Sequence, residues 1–213
     1  MTETVLFDYW RSSASYRLRI ALNLAGIAYR SVHVDLVQGE QKADDHLARN
    51  PQGLVPVLDI DGVRLTQSLA ILDYLDHTRG MRLLPDAPVD RARAQALAHA
   101  IAVDIHPVCN LQVVAYAAQI TGNRESVRED WMHRFIRPGL EAFETMLGCF
   151  DQAPYCTGHA PGLADICLMP QLYNADRWGI ETTDLPKLSA VASACARLPA
   201  FAAAHPDAVK PAG

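Results

Sequence analysis

The hydrophobic pattern changes period near Trp10. Residues 4–10 read as a strand built on Val5-Leu6-Phe7. From Ser12 onward, apolar residues recur at Leu18, Ala21, Leu22 and Ala25, the spacing of one helix face, and Gly26 stops the pattern. Tyr29 to Leu36 predicts a second strand with Val32, Val34 and Leu36 on one face, so strand, helix and strand form a parallel crossover. Gln41 to Arg49 predicts a short helix halted at Asn50-Pro51, because the residue before proline avoids helical backbone. Two further apolar runs, Val55 to Ile60 and Val63 to Thr66, flank Asp61-Gly62, a hairpin signal. Gln67-Ser68 then opens a helix with apolar positions Leu69, Ile71, Leu72 and Leu75.

This order, β-α-β, α, β-β-α, is that of an α/β thioredoxin-like domain, expected over residues 1–82. The proline-punctuated stretch Leu83-Leu84-Pro85-Asp86-Ala87-Pro88 marks a boundary, and residues 88–213 are expected to form an all-α C-terminal domain. Helical patterns run from Ala92 to about Ile120, Ser126 to about Phe150, Leu163 to Trp178 and Leu188 to Ala196. Pro107 should kink the first of these near His106. Gly162 reads as an N-cap, with Asp165 placed to reach back to its N–H. The Ala-rich tail after Pro199 carries no evident chemistry.

Composition narrows the function classes. Half of the 213 residues are hydrophobic, enough for a substantial core. Net charge is -5, from 19 basic and 24 acidic residues mixed along the chain, so no basic stripe offers itself to nucleic acid. No apolar run approaches the roughly 20 residues that span a bilayer, and the first residues lack the features of a secretory signal. A cytoplasmic, soluble protein without a membrane partner is expected. The five cysteines are scattered without a C-x-x-C pair, which argues against disulfides or a zinc site and for buried reduced thiols.

The strand-to-helix junction holds the densest chemistry. Ser12, Ser13 and Ser15 sit where the first helical N–H groups have no intrahelical partner, and the helix dipole there favours an anion or thiolate. One serine serves as the cap; the other hydroxyls are free to donate. Pro56 opens an otherwise convincing strand. It is either a trans proline at a strand entrance or a cis bond that turns the Val55 backbone toward a peptide-like ligand. Asp104 and His106 are two residues apart on a helix and cannot share a metal, and His99 with His106 lacks a third ligand, so no metal is expected. His106, beside the kink, is a structural residue or a binding residue. Arg11, Arg17 and Arg177 each offer a fork for a carboxylate or else form ion pairs, while Arg19 reads as an ion-pair residue. Neither a G-x-S-x-G elbow nor a phosphate-cradling glycine loop is present, which removes the usual hydrolase and NTPase readings.

Ser12-Ser13-Ala14-Ser15-Tyr16-Arg17-Leu18-Arg19-Ile20-Ala21-Leu22 closely resembles the Ser-Ser-Cys-Ser-x-Arg-x-Arg-Ile-Ala-Leu signature of zeta-class glutathione transferases, the family of maleylacetoacetate and maleylpyruvate isomerases. The likeness continues through Asn50-Pro51-x-x-x-Val55-Pro56, Gln67-Ser68-Leu69-Ala70-Ile71, Ile105-His106-Pro107, and Leu163-Ala164-Asp165 with Pro170-Gln171. The resemblance implies the glutathione transferase fold, a homodimer, and glutathione held between the two domains. It makes Ser12 the residue that hydrogen-bonds the glutathione sulfur, with Ser13 in support. Val55 ahead of a cis Pro56 becomes the backbone clamp, and Gln67 and Ser68 hold the γ-glutamyl carboxylate. His106 and Asn110 reach over from the helical domain. Arg11 and Arg177 would hold the carboxylates of a small dicarboxylate substrate, with Arg17 a third candidate.

The implied reaction is glutathione-dependent cis–trans isomerisation of a maleyl diketo acid in aromatic breakdown, the thiolate adding to the double bond and leaving after rotation. A conjugating transferase that consumes glutathione on electrophiles such as α-halo acids, and a non-catalytic interaction protein, are the alternatives. Two departures stand out. Ala14 replaces the family's cysteine, so the loop has no thiol of its own. Gly162 stands where Ser or Thr is usual, a cap weaker by a few tenths of a kcal/mol.

Overall fold

The computed structural model describes residues 3–122, 125–151 and 154–211. The chain divides into two compact units: residues up to Arg82 together with those from Arg197 on, and Leu83–Ala196.

The first unit is built on a four-stranded sheet of order β2-β1-β3-β4. Strand β1 (Val5–Asp8) runs parallel to β2 (Arg30–His33) and antiparallel to β3 (Val57–Ile60), which pairs antiparallel with β4 (Val63–Thr66). Helix α1 (Ser13–Leu24) makes the crossover that a parallel pair requires. The central strands bury Val5, Leu6, Val57, Leu58 and Ile60, whereas β2 and β4, at the edges, are largely exposed. Asp61 and Gly62 both adopt positive φ, 53° and 79°, as the tight hairpin turn demands. A 3₁₀ turn (Glu40–Lys42) and α2 (Asp44–Leu47) occupy the predicted 41–49 helix. The Val55–Pro56 bond is cis and β3 begins only at Val57, so the open alternative at Pro56 resolves toward the cis form. Helix α3 (Ser68–Arg79) closes on Gly80 at φ 61°.

The second unit is helical: α4 (Pro88–His99), a π-helical stretch (Ala100–Ile105), α5 (His106–Val108), α6 (Leu111–Ile120), α7 (Glu125–Met146), α8 (Leu163–Arg177) and α9 (Pro186–Ala196). The expected kink at Pro107 takes the form of the π stretch, in which the His106 N–H donates to Ile101 O, five residues back. Proline lacks the N–H that would continue the ordinary ladder, and the wider turn absorbs the mismatch. By length and composition the helical stretch Pro88–Ile120 is apolar enough to cross a bilayer, which corrects the expectation that no run approached that length. Its residues Ala94, Leu97, Ala98, Ile101 and Ile105 are buried, and α4 packs on α8.

Asp165, fully buried in the first turn of α8, accepts from the N–H groups of Gly162 (2.8 Å) and Cys156 (2.9 Å). The Gly162 cap has a steric reason: a Cβ there would lie 2.7 Å from Leu83 O, the carbonyl that accepts from Leu163 N–H.

The chain then returns to the first unit through α10 (Pro199–Ala204) and α11 (Pro206–Val209). The predicted boundary assigned this segment to the helical domain. Its packing on α1 overrides that assignment: Asn23 Nδ2 donates to Ala200 O (3.0 Å) and Arg19 Nε to Ala204 O (3.0 Å). Helix α1 is therefore buried on every side from Ala14 to Leu22.

Candidate active site

Ser12 is the N-cap of α1. Its hydroxyl oxygen accepts the Ser15 N–H (3.2 Å) and its own N–H donates to Tyr9 O (2.9 Å). Capping uses a lone pair only, so the hydroxyl proton stays available to an anion. Ser13 follows at the first helical position, half-buried, where its N–H belongs to the free helix end. Ser15 is fully buried and its hydroxyl has no partner among the described residues, which removes it from the group that can meet a ligand. Arg11, half-buried, stacks over Trp10 and Tyr9, its Cζ 5.3 and 5.9 Å from the ring centroids.

The second cluster in this unit gathers around the start of α3. Gln67 holds φ 68°, a left-handed backbone rare for a side-chain-bearing residue and common at ligand sites, and its Nε2 donates to Gln52 Oε1 (2.7 Å). Ser68, buried, accepts at its hydroxyl from Arg17 Nη1 (3.1 Å). Arg17 is 2% exposed. The guanidinium expected to meet a substrate carboxylate thus lies buried behind Ser68. What it supplies is a buried positive charge directly behind the α3 N-terminus.

Sequence reasoning missed the residues that shape the Val55 loop. The carbonyl of Leu54 accepts from Asn50 Nδ2 (2.9 Å) and lies 3.0 Å from His46 Nε2, both side chains being buried. These contacts fix the backbone just ahead of Val55–Pro56. The four-residue spacing of His46 and Asn50, immediately before Pro51, was the available signal. It also missed Arg19, which is 1% exposed and bonded to Asp8 Oδ2 (2.7 Å), Trp10 O (2.8 Å) and Ala204 O. Arg19 forms an ion pair, as expected, but inside the unit, where it holds the loop that carries Arg11 and Ser12.

The remaining predicted residues lie in the second unit. His106 opens α5, half-buried. Asn110 caps α6, its Oδ1 accepting from Gln112 N–H (3.1 Å). Arg177 ends α8, exposed, with Nη1 3.3 Å from Asn174 Oδ1.

Three of the buried thiols are held in the protonated form. Burial pushes Cys109 up to about 12, and burial, followed by the Asp165 carboxylate, also raises Cys156 and Cys195. Cys149 is exposed, against the expectation of five buried thiols, and all five are free. Among the described residues no group of three His, Cys, Asp or Glu side chains could hold a metal. A helix N-terminus with a free hydroxyl proton, a second helix start backed by a buried cation, and a partly exposed arginine fit an anionic thiol peptide.

Known proteins match this arrangement closely. The model of the glutathione S-transferase N-terminal domain matches residues 3–77. The maleylacetoacetate isomerase of Rhizobium meliloti (strain 1021) is 59% identical over 210 residues, spanning 98% of this chain and 99% of its own. A maleyl pyruvate isomerase solved in its holo form, described as a bacterial glutathione-S-transferase of the zeta class, superposes with TM-score 0.94 at 37% identity, over 98% of this chain and all of its own. The maleylacetoacetate isomerase of Methylobacterium extorquens AM1, solved with malonate and glutathione bound, gives TM-score 0.92 at 41% identity, again over 98% of this chain and 100% of its own.

Proposed function

The chain belongs to the zeta-class glutathione transferase family of maleylacetoacetate and maleylpyruvate isomerases, and from that premise we propose that it is a glutathione-dependent cis–trans isomerase of a maleyl diketo acid. Maleylacetoacetate is the first substrate to assay, because the relative at 59% identity is an isomerase of that compound. The observation that carries the reading is the Ser12 hydroxyl, engaged only as an acceptor at the α1 N-terminus, in whose first turn Ala14 stands instead of a cysteine.

Glutathione, when bound, supplies the thiolate that adds to the cis double bond and departs after rotation. The chain's own residues do the rest. Ser12 donates a hydrogen bond from its hydroxyl to the sulfur, helped by the α1 N-terminus and by Ser13. Each unit by which they lower a thiol pKa from about 8.5 is worth about 1.4 kcal/mol of thiolate stabilisation. Gln67 and Ser68, with Arg17 behind, receive the γ-glutamyl carboxylate. The Val55 backbone beside cis Pro56 pairs with the cysteinyl part. His106 and Asn110 are further glutathione-binding residues. Arg11 and Arg177 hold substrate carboxylates and offset the negative charge that develops when the double bond is attacked. The enzyme acts as a cytoplasmic homodimer; the absence of a membrane or nucleic-acid partner is supported by the mixed charge along the chain and by the packing of the apolar α4 against α8.

The test is conversion of the cis diketo acid by purified protein with and without glutathione, free thiol being followed in parallel. Turnover only with glutathione, at constant thiol, is expected. Turnover without it, or stoichiometric thiol loss, overturns the reading, the latter in favour of a conjugating transferase. Ser12→Ala should raise the pKa of the bound glutathione thiol and slow turnover far more than Ser13→Ala. Equal effects would mean that Ser12 is not the residue on the sulfur.

A further inference from the structure

We infer that Lys210, brought back by the closing segment, is a second cation of the substrate site in this same unit and sets its preference for doubly charged acids. The inference rests on the isomerase reading. Its starting point is Arg19, a buried guanidinium that bonds Trp10 O and Ala204 O at once, so the loop bearing Arg11 and Ser12 and the segment bearing Lys210 share one anchor. Beyond Ala204, helix α11 ends at Val209 and the exposed Lys210 places its Nζ 5.3 Å from the centroid of the Trp10 ring. Arg11 Cζ lies at the same distance from that ring. The two cations are therefore no farther apart than twice this distance.

Neither side chain makes an ion pair or hydrogen bond among the described residues, whereas Arg19, Arg30, Arg64, Arg79 and Arg137 are all paired with carboxylates. The carboxylate nearest along the network, Asp8, is already held by Arg19 Nη1 and Ser31 Oγ. Asp207, the acid on α11, lies beside His205, its Oδ2 3.6 Å from Nδ1. Two unneutralised cations held against one indole repel each other, and an anion set beside them relieves that repulsion. Lys210 reinforces the carboxylate site at Arg11, and a dianion gains more from the added positive charge than a monoanion does. Lys210 acts through charge alone, since a single ammonium on a flexible stem lacks the planar fork that fixes a carboxylate's orientation.

The experiment measures malonate binding to the glutathione-saturated protein by calorimetry for wild type, Lys210→Ala, Lys210→Glu and Lys210→Arg, and then KM for the maleyl diketo acid. Lys210→Ala should weaken malonate binding and raise KM roughly three- to tenfold, Lys210→Glu more, and Lys210→Arg little. Glutathione affinity and Tm should not move, and the wild-type salt dependence should flatten in Lys210→Ala. Wild-type malonate affinity in both Lys210→Ala and Lys210→Glu overturns the inference. So does a parallel loss of glutathione affinity or Tm, which would make Lys210 only a structural strap. Failure of the isomerase reading looks different: wild type would itself show no glutathione-dependent isomerisation.

Discussion

Replacing Arg19 with methionine isolates what holds the active-site loop. The side chain is 1% exposed and its three hydrogen bonds reach Asp8 (2.7 Å), Trp10 O (2.8 Å) and Ala204 O (3.0 Å). Methionine fills much of the stem's volume, so the dominant loss is electrostatic: Asp8, itself buried, keeps only Ser31 Oγ at 2.8 Å. Stranding one partner of a buried pair costs about 3–5 kcal/mol, and each carbonyl left without its donor adds up to about 1–3 kcal/mol. A loss of at least about 4 kcal/mol is expected, from a total that for domains of ordinary stability is about 5–15 kcal/mol. With a urea slope near 2 kcal/mol/M, the unfolding midpoint should fall by about 2 M.

The double variant Asp8→Asn, Arg19→Met separates charge from packing. The amide oxygen introduced by Asp8→Asn can still accept from Ser31 and strands no charge, so about half the loss should return and the two substitutions should be non-additive by at least about 2 kcal/mol. Urea unfolding followed by far-ultraviolet circular dichroism at one protein concentration measures both quantities. A midpoint shift below about 0.5 M for Arg19→Met, or additivity within about 0.5 kcal/mol, would refute the assignment of Arg19 as the buried anchor.

Gly139 tests the packing beneath His106: a Cβ there would meet Ile105 Cδ1 at less than van der Waals separation and Cγ1 at 2.6 Å. Gly139→Ala alone should therefore lower Tm, whereas in an Ile105→Ala background the same change should raise stability by about 0.5–1 kcal/mol through helix propensity; the same sign in both backgrounds contradicts the contact. Thiol titration at pH 8 should find one reactive cysteine, Cys149, in the folded protein and five in urea, because the thiolate of Cys109, pushed up to about 12, is scarcely populated at that pH. Labelling Cys149 should leave isomerase activity unchanged, and inactivation would place a protein thiol in the chemistry.

What could be read from the sequence follows from how local each signal was. The Asp61-Gly62 turn, the Gly26 stop and a serine cap at the strand-to-helix junction are written in adjacent residues and need no tertiary context, and all three appear in the fold, the cap at Ser12. Pro107 announced a distortion, but not whether the helix would break or widen. That depended on the His106 N–H finding Ile101 O. Arg17 and Arg19 were harder. Two residues apart, they project on nearly opposite sides of α1, and the usual expectation leaves at least one arginine in water. Both are internal because α1 is enclosed by α3 as well as by α10, and α10 is a six-residue, alanine-rich helix whose contact with Arg19 spans 185 positions of sequence. No periodicity encodes that return. The same long-range closure turns a tail without legible chemistry into the carrier of Lys210. The loop that looked like a self-sufficient serine site therefore depends on the far end of the chain, both for its rigidity through Arg19 and for its charge through Lys210.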